Sequence, residues 1–203
     1  MPDTRSAALI RISTLACRPE YKNELLEELR KIKASSSASK EELYEVFLQS
    51  YLFAGFPAAL ESVRALSKVF GSELGHSENA DEIISAYSDH LVKGEALYKK
   101  VYAANAGRVR EEMIRLSPEL AAWAMIEGYG KTLSRGELDV KTRELCIVAM
   151  LVQLGWERQL YSHILGSRNV GAEKDEVREA ASIGARGDAK KLEIAEQLIR
   201  KIV

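Results

Sequence analysis

One continuous segment, Asp139-Val-Lys-Thr-Arg-Glu-Leu-Cys-Ile-Val-Ala-Met-Leu-Val-Gln-Leu-Gly155, carries the clearest structural signal in the chain. Asp139 is a favourable N-cap, because its carboxylate can accept a hydrogen bond from a free N–H of the first helical turn. Gly155 can adopt the left-handed conformation that ends many helices. The segment therefore predicts a largely apolar helix that carries Arg143, Glu144 and Cys146 and ends at Gly155.

Similar signals predict helices on both sides of this segment. Ser39 and Glu42 form a capping box, and the helix that it opens is predicted to run to Ala54. Its apolar residues follow the three-and-four spacing of one helical face. Pro57 suits the first turn of a following helix that lasts until Gly71.

The rest of the chain is also read as helical. The sequence predicts further helices near residues 6–17, 20–34, 81–105, 118–129, 156–169, 173 onward and 188–203, and a loop over 131–135. No segment alternates convincingly between polar and apolar residues, so no sheet is required. We therefore predict an all-α fold.

Composition excludes several classes of function. The 203 residues include 29 Lys and Arg against 30 Asp and Glu, a net charge of −1, so a nucleic-acid or acidic-membrane partner has no global electrostatic support. The apolar run over residues 6–12 is broken by Arg11 and is too short for a signal peptide or a membrane span. Cys17 and Cys146 lie far apart, which suggests a reducing compartment without a disulfide framework. We expect a cytoplasmic protein that binds neither nucleic acid nor membrane.

The chain also shows a weak internal repeat at an offset of 134 residues. In this register Leu26 aligns with Leu160, and Glu42 aligns with Glu176. The predicted helix boundaries coincide as well. The two halves differ where chemistry would be expected, because Leu29 aligns with His163 and Ile10 aligns with Glu144.

Three parts of the chain resemble γ-carboxymuconolactone decarboxylases. The residues that resemble the core of the family are Asp139-Val-Lys-Thr-Arg-Glu-Leu145, Ala149, Leu151, Gly155, Leu160, His163 and Asn169-Val-Gly-Ala-Glu-Lys-Asp-Glu176. Those that resemble the N-terminal arm of the family are Gly94, Leu116-Ser-Pro-Glu-Leu120, Tyr129, Gly130 and Leu133-Ser-Arg-Gly-Glu-Leu138. Those that resemble the end of the same domain are Glu42-Leu-Tyr-Glu-Val-Phe-Leu-Gln-Ser-Tyr51 and Ala54-Gly-Phe-Pro-Ala-Ala59.

This resemblance implies an AhpD-like helical fold, in which two diverged repeats form an intrachain pseudo-dimer. We expect a degenerate N-terminal repeat over residues 1–70, a helical connecting arm over 71–138 and a C-terminal repeat over 139–203. The family typically assembles into trimers or hexamers, so we expect a homo-oligomer. A fused pseudo-dimer favours a trimer, in a hexamer-like assembly.

The resemblance also implies a catalytic pair, His163 and Glu144. A carboxylate that packs against an imidazole orients the ring and favours its protonated form, which is the arrangement that general acid–base catalysis requires. Two plainer interpretations remain open. His163 can be a histidine without a catalytic role, and Glu144 can form an ion pair with Arg143 or a lysine at helical spacing.

Four further residues are candidates for binding a substrate. Arg135 lies in the predicted glycine-bounded loop, where it either grips a substrate carboxylate or is a solvated surface residue. Gln159 stands where the decarboxylases commonly carry a glutamate four residues before the histidine. Trp156 is a candidate wall of the pocket, although it can equally serve packing alone, and Tyr51 with the turn over residues 55–59 is a candidate lining.

The peroxidase branch of the superfamily carries a Cys-x-x-Cys pair just before the shared histidine. The matching positions here hold Trp156 and Gln159, so the thiol mechanism is not expected at this site. His76 and His90 lack companions at metal-ligand spacing and are expected on the surface, and we predict no metal or cofactor.

Three functions remain in competition on sequence grounds. The first is a carboxymuconolactone decarboxylase-type lyase that acts on a small carboxylated lactone or related acid. The second is an antioxidant protein of the alkylhydroperoxidase type. The third is a non-catalytic, oligomeric binding protein for a small molecule.

Overall fold

The computed structural model describes residues 4–71, 87–116 and 118–202, and these residues form helices and turns without a strand. The prediction of an all-α fold is confirmed for this part of the chain. By its internal packing the chain divides into two compact units. The larger unit comprises Met1–Gly75 and Glu137–Val203, and the smaller unit comprises His76–Gly136.

The larger unit is built from helices on both sides of the smaller one in sequence. They are α1 (Thr4–Ala16), a 3₁₀ turn (Pro19–Tyr21), α2 (Lys22–Ser35), α3 (Lys40–Phe70), α7 (Val140–Leu154), α8 (Glu157–Asn169), α9 (Lys174–Ala185) and α10 (Ala189–Ile202). Asp139 caps α7 as predicted, because its Oδ1 accepts from the backbone N–H of Thr142 at 2.9 Å. Gly155 ends the helix at φ 79°.

Helix α7 is the centre of the larger unit. Every residue from Thr142 to Gln153 is buried, and the helix packs against α1, α8 and α9. Gly184 on α9 permits one of these contacts, because a Cβ at that position would overlap the Ala149 carbonyl of α7. Since α7 is enclosed along most of its length, its charged residues need partners inside the protein.

Helix α3 contains a kink where the sequence predicts a boundary between two helices. The capping box is present, with Glu42 N–H donating to Ser39 Oγ at 3.2 Å and Ser39 N–H donating to Glu42 Oε2 at 2.9 Å. Gly55 interrupts the helix at φ 85° and ψ 165°, a conformation that glycine adopts without a steric penalty. Two helical segments of α3 therefore meet at Gly55, where the sequence predicts the boundary between two helices.

The smaller unit contains α4 (Tyr87–Tyr102), a 3₁₀ turn (Ala103–Asn105), α5 (Ala106–Leu116), α6 (Pro118–Trp123) and a π-helix (Ala124–Leu133). The prediction of a helix end at Tyr129 and a loop from residue 131 is wrong, because the chain stays helical to Leu133. Gly94 and Gly130 let the backbones of α4 and the π-helix approach so closely that a Cβ at either position would overlap the opposite backbone. The predicted start of α4 near residue 81 lies outside the described residues.

Candidate active site

A buried hydrogen bond joins His163 to Glu144. His163 lies on α8 and Glu144 on α7, and the Nδ1 of the imidazole is 2.8 Å from Oε2 of the carboxylate. His163 is 7% exposed and Glu144 is 2% exposed. Because a carboxylate can only accept a hydrogen bond, Nδ1 carries the proton and Nε2 is left to exchange a proton with another molecule.

The helix caps place these two side chains. Asp139 fixes the start of α7 five residues before Glu144. Gly155 turns the chain sharply after α7, and Trp156 stands at the N-cap of α8 seven residues before His163. Two successive helices that are joined by so short a turn pack side by side, which brings positions 19 residues apart into hydrogen-bonding contact.

Phe53 of α3 contacts the imidazole from another direction. The ring centroids of Phe53 and His163 are 5.7 Å apart, and the ring planes meet at 82°. Edge-on contacts of this kind are favourable and restrict the orientation of both rings. Sequence reasoning missed Phe53, although its spacing of four residues from Gln49 and of eight from Glu45 places the three on one face of α3.

Arg143, which precedes Glu144, makes a separate set of buried contacts. Its Nη2 donates to Glu45 Oε2 at 2.8 Å, its Nη1 to Gln49 Oε1 at 3.2 Å and its Nε to the Leu138 carbonyl at 3.2 Å. Arg143 and Glu45 are each 1% exposed. The signal that sequence reasoning passed over is the pair of polar residues, Glu45 and Gln49, within a mostly apolar stretch of α3.

The other predicted binding residues occupy different surroundings. Gln159 is exposed and lies one helical turn before His163 on α8. Trp156 is 59% exposed at the start of that helix. Tyr51 is half-buried on α3, two residues before Phe53. Arg135 belongs to the smaller unit, in the turn that follows the π-helix, where its backbone N–H donates to the Thr132 carbonyl at 3.4 Å.

Neither cysteine is placed for thiol chemistry. Cys17 and Cys146 are both buried, and burial raises the pKa of each thiol to about 12. Cys17 Sγ donates to the Ser13 carbonyl at 3.3 Å, and Ser13 Oγ donates to the Cys146 carbonyl at 3.2 Å. A thiol with so high a pKa stays protonated at neutral pH and is a poor nucleophile.

Metal ligands do not cluster in the described part of the chain, where no group of three His, Cys, Asp or Glu side chains is placed to hold an ion. His90 differs from the expectation of a surface histidine, because both of its ring nitrogens are buried. His76 lies outside the described residues. Among those residues, no helix combines the length and apolar character needed to cross a membrane.

The fold and the site together define a class: an all-helical protein with a buried glutamate–histidine pair on successive helices. Residues 118–190, which include both members of the pair, match the family model of the carboxymuconolactone decarboxylase family. The similarity to this family rests on that segment, which is less than half of the chain.

One curated relative is similar over a longer stretch. The chain is 31% identical over 146 residues to Peroxisomal protein 2 of Schizosaccharomyces pombe. The matched region covers 70% of this chain and 66% of the relative, slightly under two thirds of its length.

Proposed function

We propose that this protein catalyses a lyase-type proton transfer on a small carboxylated lactone or a related acid, with His163 and Glu144 as the catalytic pair. The observation that carries the proposal is the 2.8 Å hydrogen bond between His163 Nδ1 and Glu144 Oε2. The bond fixes which ring nitrogen carries a proton. It leaves Nε2 of a slightly exposed imidazole as the reactive atom.

The chemistry follows from the needs of a decarboxylation. When the carbon–carbon bond to a carboxylate breaks, carbon dioxide leaves and the electron pair remains on the substrate carbon. Protonated His163 donates the Nε2 proton to that carbon, and Glu144 holds the ring in place through its contact with Nδ1. The neutral imidazole then takes a proton from solvent, which completes the cycle.

The environment of the cysteines supports this proposal over the peroxidase alternative. A peroxidase of the thiol type needs an accessible thiolate and a second thiol to form a disulfide. Cys17 and Cys146 are buried, and the pKa of each thiol is raised to about 12. Gln159 and Trp156 stand on the exposed start of α8, where the paired thiols would be required.

We further propose that the larger unit is an intrachain pseudo-dimer of two diverged repeats. The support is the agreement of element boundaries at the offset of 134 residues. Ser39 and Glu42, the capping box of α3, align with Glu173 and Glu176, which form the capping box of α9. The bend at Gly55 aligns with the start of α10 at Ala189. On this proposal only the C-terminal repeat retains the catalytic pair.

The proposed function is tested by assaying release of carbon dioxide from a panel of small carboxylated lactones and unsaturated acids. We expect turnover of at least one compound by the native chain and loss of about 100-fold or more in His163→Gln. His90→Gln is the matched control, because His90 is a histidine with no part in the proposed proton transfer, and its replacement should leave the rate unchanged. Tight binding of a compound without any turnover would instead establish the non-catalytic alternative.

A further inference from the structure

The buried cluster of Glu45, Gln49 and Arg143 has no part in the proton transfer described above. The three side chains are 1%, 0% and 1% exposed, respectively. A charged pair so deeply buried is costly unless its geometry is exact, and replacing it with apolar residues often costs a protein nothing. Its position directly beside Glu144 therefore calls for an explanation other than stability.

We propose that Glu45 and Gln49 are positioning residues for the Glu144–His163 pair and that they act through Arg143. The inference deepens the proposed function and rests on it for its catalytic consequence. Its structural content, that these two residues fix the geometry of the pair, can be measured independently of any reaction.

The contacts of Arg143 restrain α7 in two directions. Its Nε bonds the Leu138 carbonyl at 3.2 Å, at the start of α7, and its two terminal nitrogens reach Glu45 and Gln49 on α3. A planar guanidinium held at three points cannot rotate or slide without losing a hydrogen bond. Because Glu144 is the next residue on the same helix, this restraint also fixes the direction in which its carboxylate points.

Helix α3 supports the other member of the pair as well. Glu45, Gln49 and Phe53 recur every four residues, so they lie along one face of the helix. The first two hold Arg143, and Phe53 meets the imidazole of His163 at a centroid distance of 5.7 Å. Side chains on one face of α3 thus contact both Arg143, the neighbour of Glu144, and His163.

The test uses Gln49→Met in the full chain, because methionine keeps the length of the side chain and removes the oxygen that accepts from Arg143. The primary readout is the nitrogen NMR spectrum of the His163 ring at a pH where the ring is neutral, assigned by its loss in His163→Gln. The native protein should show the Nδ1–H tautomer alone. The variant should show a mixture of tautomers, because Glu144 no longer holds Nδ1–H in a single geometry.

With a compound that the native protein turns over, the second readout is the split between kcat and KM. We expect kcat to fall about 10- to 100-fold in Gln49→Met, with KM little changed, because partners that orient a reacting group affect the chemical step. Glu45→Gln, which keeps the shape and removes the charge, should shift both readouts in the same direction. If Gln49→Met does not fold, Glu45→Gln serves as the test of the positioning role.

Gln153→Met is the matched control. Gln153 also lies on α7, is 3% exposed and donates from Nε2 to the Tyr21 hydroxyl at 3.1 Å, so its loss removes one part-buried hydrogen bond of a buried glutamine. It should leave the His163 spectrum unchanged. The proposal is overturned if Gln49→Met keeps a single tautomer and a native kcat, or if Gln153→Met disturbs the ring equally. If the spectra behave as expected and no acid is turned over, the proposed function fails and the positioning role stands.

Discussion

Two neighbouring buried charged residues of α7 each bond side chains on another helix. Glu144 bonds His163, and Arg143 bonds Glu45 and Gln49. The partners of these two neighbouring side chains lie on different helices, His163 on α8 and Glu45 and Gln49 on α3. At the scale of single residues, the adjacent charges on α7 thus serve two separate contacts.

The two thiols give a prediction at the same scale. Because burial raises the pKa of Cys17 and of Cys146 to about 12, the thiols stay protonated well above neutral pH. Native protein at pH 8 should therefore react with an alkylating reagent at only a small fraction of the rate of unfolded protein. A mass spectrum taken over time measures this directly, and rapid labelling of the native chain would contradict the buried placement.

Replacing both cysteines by serine extends this prediction. We expect a loss of about 1–3 kcal/mol in the free energy of unfolding, because a hydroxyl is more costly to bury than a thiol. Catalysis should be unaffected if it depends on proton transfer alone. Loss of activity in a double variant that remains folded would instead support the thiol-based alternative.

At the scale of elements, the start of α7 depends on an ionised cap. Burial by itself would raise the pKa of Asp139, but hydrogen bonds from the Thr142 backbone and hydroxyl and the nearby Arg5 guanidinium outweigh it and hold the pKa below its usual value. The charge therefore stabilises the folded state above the ordinary pKa of about 4, and this contribution disappears as the pH falls through the lower folded value.

Asp139→Asn tests this dependence, because asparagine can still cap a helix but carries no charge. At pH 6 we expect the variant to be less stable by about 0.3–1 kcal/mol, the usual size of a charge effect at a helix N-terminus. The difference should shrink as the pH falls below the ordinary pKa of an aspartate and through the lower folded value. Urea unfolding at several pH values measures it, and a difference independent of pH would show that the charge is not involved.

The contact between α7 and α9 gives a second prediction for elements. Gly184→Ala should cost about 1–3 kcal/mol, because the added methyl group would overlap the Ala149 carbonyl. Gly107→Ala is the control: Gly107 lies in α5, where nothing lies within 4 Å of the added atom, and alanine favours a helix. Thermal unfolding should show opposite signs for the two variants, and a neutral Gly184→Ala would contradict the close approach of the two helices.

At the scale of the whole molecule, local signals predict this fold better than they predict its site. The capping box at Ser39, the cap at Asp139 and the helix end at Gly155 follow from short-range chemistry, and all three are confirmed. The predicted helix end at Tyr129 is wrong because the role of the next residue, Gly130, depends on packing. It lets the His90 carbonyl of α4 approach the π-helix, which no local pattern reveals.

The residues of the candidate site divide in the same way, since some follow from the sequence and others depend on how the helices pack. The resemblance to the family identified His163 and Glu144, and the structure brings them together. Phe53, Glu45 and Gln49 escaped attention because their significance depends on which helix packs against which. Arg135 stays a prediction, a candidate carboxylate-binding residue of the smaller unit.

The central claim, that His163 with Glu144 delivers a proton to a substrate carbon, is tested most directly by turnover in deuterated water. The product should carry one deuterium on the carbon that lost the carboxylate. The rate of its formation should fall by about 100-fold or more in His163→Gln and by a smaller factor in Glu144→Gln, which keeps a hydrogen-bond acceptor but no charge. Deuterium incorporation at the native rate in His163→Gln would contradict the account.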